Sequence, residues 1–167
     1  MTLPNLSKLR MMKGERVLSF YKRKSPRIAN YDYGTQNYYF ITICTHDKKC
    51  IFGSAAELNH FGIIAKRNIE TMCRHYDNVS VDKFTVMPNH VHFILVLEES
   101  SEIAATQIVG QYKAGVTRQI RKFAPDTQVW QRSFHDHIIR NQMQYEKIWC
   151  YIENNPLRWQ EDCFFVE

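Results

Sequence analysis

The stretch Val86-Met87-Pro88-Asn89-His90-Val91-His92-Phe93-Ile94-Leu95-Val96 sets two histidines one residue apart at the head of an apolar run. Residues i and i+2 of a β-strand point to the same face, so His90 and His92 can present two imidazoles side by side while Val91 and Phe93 face away. Such a pair suits a transition or divalent metal ion. Two ligands make an incomplete site, so a third donor has to come from elsewhere in the chain. Taken alone, a His-x-His pair describes two inert, hydrogen-bonded histidines more often than a metal site. Pro88-Asn89 is a tight-turn signal, which places both imidazoles at the start of a strand leaving a hairpin.

Other residues able to do chemistry lie further on. In Tyr145-Glu146-Lys147-Ile148-Trp149-Cys150-Tyr151-Ile152-Glu153-Asn154-Asn155-Pro156, Tyr151 and Asn155 are i and i+4 and share one helical face. If that face meets His90 and His92, three neutral donors and a nucleophile converge. Glu153 is near in sequence but faces elsewhere. Tyr145, nearly two turns before Tyr151, and Tyr112, on an apolar stripe, read as packing tyrosines, and Tyr151 alone would read the same way. His135 and His137 form a second His-x-His pair with Asp136 on the opposite face. They are alternative ligands, but read better as residues behind the ligands, phosphate contacts or structural histidines. Lys113, Arg118, Arg121 and Lys122 form either a solvated helix face or, near a metal site, a surface that tracks phosphates.

The elements that must position these groups follow from periodicity. Tyr38–Thr45 is rich in aromatic and β-branched residues and reads as a strand. Residues 55–75 recur near a 3.6 period and read as a helix. Residues 79–86 and 90–97 read as a hairpin around Pro88-Asn89. Residues 103–123 carry Ile108, Tyr112, Val116 and Ile120 at i+4 spacing and read as a second helix. Residues 129–140 read as a strand, and 142–155 as a last helix ended by Pro156. Trp159, Phe164 and Phe165 are expected to tuck the tail onto the core. The order is the βαββαβ ferredoxin-like plan: an α+β fold with an antiparallel sheet, helices on one face, and an added C-terminal helix bearing Tyr151.

Composition fits that plan. The chain of 167 residues is 44% hydrophobic and 13% aromatic, enough for one domain with a real core. Five cysteines with no Cys-x-x-Cys argue against a disulfide framework and a thiolate zinc site. With no span-length apolar run and no signal-peptide core, a soluble cytoplasmic protein is expected. The net charge is +5, and it is polarised. Residues 1–37 hold eight Lys and Arg against Glu15 and Asp32, a net of +6, which leaves the other 130 residues at −1. We read 1–37 as a basic arm, with a short helix near Leu6–Leu18, and 38–167 as a single domain. Such an arm either aids solubility or marks a nucleic-acid partner. Lys22, Arg23, Lys24 and Arg27 are its candidate DNA contacts.

Three motifs in order carry a family resemblance: Met87–Phe93, then Trp130–Asn141, then Tyr151-Ile152-Glu153-Asn154-Asn155-Pro156. The chain resembles the IS200-like single-tyrosine (Y1) HUH transposases, and within them the REP-associated tyrosine transposases. Arg23-Lys24-Ser25-Pro26-Arg27 and Tyr31-Asp32-Tyr33 fit that branch. The similarity runs from about Tyr21 to Trp159. It implies that His90, His92 and Asn155 bind Mg²⁺ or Mn²⁺, and that Tyr151 nicks single-stranded DNA at hairpin-forming repeats. The products would be a 5′-phosphotyrosine and a free 3′-hydroxyl that can rejoin another strand. Asn155 is a neutral ligand where other HUH enzymes often use Gln, Glu or a third His. The resemblance leaves open a monomer or a homodimer that exchanges the tyrosine helix. It places the protein in the cytoplasm, at the nucleoid. Two other functions stay open: a DNA-hairpin binder without turnover, and a metal-dependent phosphoesterase that uses water.

Overall fold

The computed structural model describes residues 30–98 and 103–166. The arm residues Lys22, Arg23, Lys24 and Arg27, and the expected helix near Leu6–Leu18, lie outside the described residues. Four strands form one antiparallel sheet: β1 Asn37–Cys44, β2 Val79–Met87, β3 His90–Leu97 and β4 His135–Ile139. Their order is β2-β3-β1-β4. Helices α1 His60–Thr71 and α2 Ala105–Ile120 join them, and α3 Gln142–Asn154 follows β4. This is the ferredoxin-like arrangement expected from the sequence.

Alternation along the strands builds two layers on the sheet. Ile41, Ile43, Val91, Phe93 and Leu95 face α1 and α2 and pack on Ile64, Ile69, Ile108, Tyr112 and Val116. Phe40, Ile94, Val96 and Ile139 face the other way and pack on Ile148 and Ile152 of α3. So β3 has helices over both faces, and all eight of its residues are buried. The i+4 stripe on α2 is the buried one expected of an amphipathic helix.

Two elements are shorter than their periodicity predicts. Helix α1 begins at His60 because Asn59 caps it, its side chain accepting from the Gly62 amide. The residues before it turn instead, with Gly53 at φ 107, where an added Cβ would lie 2.5 Å from the Glu57 carbonyl oxygen. Strand β4 begins at His135. Ahead of it the Lys113 ammonium collects the carbonyls of Gln131, Arg132 and Ser133, at 2.8, 3.2 and 3.4 Å. Carbonyls turned to an ammonium are not available to a ladder, and Trp130 keeps a single bridge to Thr45.

Candidate active site

The β2–β3 hairpin pairs Met87 with His90 across a two-residue turn, Pro88-Asn89. The strand then puts His90 and His92 on the α3 face, with ring centroids 4.4 Å apart. Both are fully buried. Asn89 is more than a turn residue. Its amide nitrogen donates to the Lys48 carbonyl at 3.1 Å and to the Phe164 carbonyl at 2.8 Å. Its Oδ1 therefore accepts from His90 Nδ1, at 2.8 Å. That proton position leaves the lone pair on His90 Nε2, which is buried with no hydrogen-bond partner. On β1, Thr42 Oγ1 lies 2.8 Å from His92 Nδ1 and so turns the Nε2 edge of that ring toward the site.

Burial, reinforced by Lys48, pushes the His90 imidazole down to about 3. Burial and then His90 hold His92 well below its usual range, against an opposing pull from Asp162. Both rings are thus neutral near pH 7, the form in which a nitrogen lone pair can ligate.

Helix α3 brings Tyr151 and Asn155 to the same place. The Tyr151 hydroxyl lies 3.3 Å from His92 Nε2 and donates to Asp162 Oδ2 at 2.9 Å. Its ring meets His92 edge-on, with centroids 5.2 Å apart. Asn155, at the C-cap of α3, donates its amide to Asp162 Oδ2, and its own Oδ1 is buried without a partner. A six-residue 3-10 segment, Pro156–Glu161, kinked at Arg158, carries the tail onward. Asp162 Oδ1 then accepts from the Phe164 amide at 2.7 Å. The Phe164 ring sits 4.8 Å from that of His90 and 5.9 Å from that of His92, over the pair.

The ligand atoms of His90, His92 and Asp162 all lie within 4.8 Å of one another. Two orphaned buried acceptors, a buried carboxylate and neutral imidazoles form a donor set that fits a divalent cation. Asp162 and Thr42 did not stand out in the sequence, and Asn89 and Phe164 stood out only as a turn residue and a packing residue. A carboxylate set between tail aromatics expected to pack on the core was the one available signal.

The remaining candidates separate. Glu153 points away from the site and pairs with Lys83 of β2. The Tyr145 hydroxyl donates to Asp82 Oδ2 at 2.7 Å, and Tyr112 is buried between the sheet and α1. His135 and His137 stand on the α3 face, opposite Thr42 and Phe40. Asp136 faces the other side, where its carboxylate accepts from the Tyr33 hydroxyl at 2.8 Å. Lys113, Arg118 and Arg121 line a groove of about 780 Å³ together with His46, Trp130 and Gln131. Lys122 is exposed nearby but outside that lining. Thr45 links the groove wall to the turn before His90: it bridges to Trp130 and donates its amide to the Asn89 carbonyl at 2.8 Å.

Residues 33–155 match the family model of the IS200-like transposases. The chain belongs to that family. Among its relatives is an uncharacterised protein of Haemophilus influenzae, 35% identical over 171 residues, covering 88% of this chain and 95% of the relative. Another, assigned as a REP-associated tyrosine transposase of the same organism, is 26% identical over 142 residues, covering 78% of this chain and 77% of the relative. The fold is shared with a REP-associated tyrosine transposase solved bound to a REP hairpin: TM-score 0.58, 19% identity, 81% of this chain and 75% of that one. It is shared as well with a candidate transposase from Deinococcus radiodurans, with TM-score 0.52 and 16% identity over 77% of this chain and 95% of that one. No helix among the described residues is long and apolar enough to cross a membrane.

Proposed function

We propose that this IS200-like transposase nicks and rejoins single-stranded DNA at hairpin-forming repeats, with Tyr151 as the nucleophile. The observation that carries the reading is the Tyr151 hydroxyl 3.3 Å from His92 Nε2, beside a second neutral imidazole. The relative solved with a REP hairpin supports hairpin DNA as the substrate class. Such a protein works in the cytoplasm, at the nucleoid.

His90 Nε2, His92 Nε2 and Asn155 Oδ1 would hold Mg²⁺ or Mn²⁺, which when bound polarises a non-bridging phosphate oxygen and offsets transition-state charge. Tyr151 attacks phosphorus in line. The P–O3′ bond breaks, leaving a 5′-phosphotyrosine and a 3′-hydroxyl. A phenol has a pKa of about 10, so its oxygen is also a fair leaving group. The 3′-hydroxyl of another strand can then displace it, and strand transfer needs no external energy source. Asn89 fixes His90 with the Nε2 lone pair free, and Thr42 orients the His92 ring. Arg118 and Arg121 supply phosphate contacts along the groove, whereas Lys113 already holds three loop carbonyls.

One observation favours a second reading. Both imidazoles are fully buried, with Phe164 over them, so a phosphate reaches them only after the tail moves. A chain whose tail stayed in place would hold hairpin DNA without cutting it.

The test is incubation with single-stranded hairpin oligonucleotides and Mn²⁺, followed by denaturing gels. The expected result is a covalent protein–DNA band that Tyr151→Phe abolishes while hairpin binding persists. Binding without any band supports the second reading. Cleavage without a band, unaffected by Tyr151→Phe, means a water-using phosphoesterase and overturns the proposal.

A further inference from the structure

We infer that, in the DNA-free protein, the metal ion is also held by a carboxylate oxygen of Asp162, so that the tail, and not α3 alone, completes the site. The inference rests on the metal-dependent reading above.

Asp162 is a buried anion whose hydrogen-bond partners are all neutral: the Tyr151 hydroxyl, the Asn155 amide and the Phe164 backbone amide. No cationic side chain pairs with it among the described residues. A carboxylate taken out of water without a compensating cation is strongly disfavoured. Facing it are the unpartnered lone pair of His90 Nε2 and the nitrogen of His92, with all three ligand atoms within 4.8 Å of one another. Buried negative charge and buried lone pairs thus surround one position, and a divalent cation answers both.

The carboxylate is aimed by its neighbours. The Phe164 amide holds Oδ1, while Oδ2 points toward Tyr151 and Asn155. The Asn89 side chain donates to the Phe164 carbonyl while accepting from His90, so the tail is registered against the ring it faces. Two imidazoles and one carboxylate make a harder, singly charged donor set than two imidazoles and an amide. That set binds Mn²⁺ or Mg²⁺ more tightly without DNA. It also ties two parts of the chain together through the ion.

The test uses the full chain without DNA, with Mn²⁺ alone as the probe. Free Mn²⁺ is counted by electron paramagnetic resonance, and melting temperature is read in EDTA and in Mn²⁺. The unchanged protein should bind one ion and gain melting temperature from it. Asp162→Asn should bind at least ten-fold more weakly and lose most of that gain. Glu161→Gln, which removes the exposed carboxylate one residue away, should bind as the unchanged chain does. Hydrogen exchange at residues 158–166 should slow on adding Mn²⁺ to the unchanged chain and not to Asp162→Asn. A tail merely loosened by the substitution shows up in the EDTA baseline; the gain with Mn²⁺ decides the ligand. If Asp162→Asn keeps that gain while His92→Ala loses it, Asp162 is no ligand and the two-histidine reading survives. If the unchanged chain binds no Mn²⁺, both readings fall.

Discussion

The site is made of two halves held in different ways. His90 and His92 belong to β3, which is laddered to β2 on one side and β1 on the other and covered on both faces. Tyr151, Asn155 and Asp162 belong to α3 and the segment behind it, which lie across one face of the sheet on a smaller apolar patch. The first half is fixed by backbone pairing that no single side chain controls. The second is fixed by side chains, and its own backbone hydrogen bonds are local. The two proposed imidazole ligands sit in the laddered half, whereas the proposed nucleophile Tyr151 and the proposed oxygen donors Asn155 and Asp162 sit in the half held by side chains.

That difference predicts unequal responses to truncation. Phe93→Ala, in the larger core between β3 and α2, should cost about 3–5 kcal/mol. Because Phe93 lies where the sheet meets both helices, the loss should appear in global unfolding, with tryptophan fluorescence and circular dichroism shifting together. Ile148→Ala, fully buried under α3, should cost about 2–5 kcal/mol of the contact it makes. Here the weakening should be local. Native-state hydrogen exchange should quicken across α3 while β1 and β3 keep their protection. Equal quickening in β3 would mean that the two halves unfold as one and that the distinction is wrong.

Asn89 is where the halves meet, since one side chain grips His90, the Lys48 carbonyl and the tail. Asn89→Ala strands the buried Phe164 carbonyl and the part-buried Lys48 carbonyl and frees a ring, so about 1–3 kcal/mol of stability should go. Metal affinity should fall by roughly 10–100-fold, as when a ligand loses its orienting partner. Isothermal titration with Mn²⁺ and a denaturant melt of the same variant would show whether both effects come from one residue.

How far the sequence foretold this arrangement also divides along the two halves. The imidazole pair, the hairpin and the Tyr151–Asn155 face follow from short-range periodicity, which is local and readable. The α2 stripe follows in the same way. The ends of α1 and β4 did not, because a cap at Asn59 and the Lys113 ammonium outweighed the hydrophobic pattern. Asp162 was invisible for a different reason. Its position depends on how a tail with no regular repeat returns to the turn at Asn89, a contact 75 residues apart in sequence. Long-range tail docking leaves no period to read.

The smallest expected effect concerns how α3 is set on the sheet. At Asp82 the β2–β3 register slips by one residue. This bulge lets neighbouring side chains reach the same helix: Asp82 accepts from Tyr145, while Lys83 pairs with Glu153 and lies 4.0 Å over the Trp149 ring. Glu153 is half exposed, so solvent screens the ion pair. Lys83→Met keeps an apolar stem against Trp149 and removes the charge, and should cost only about 0.5–1 kcal/mol. Its informative effect lies elsewhere. If the bulge sets the helix angle, formation of the proposed Tyr151 adduct should slow several-fold while Mn²⁺ affinity, held mainly by the imidazoles of β3 and by Asp162 beyond α3, changes much less. An equal loss of affinity would show that α3 and the imidazole strand move together, and that the helix is no separate layer.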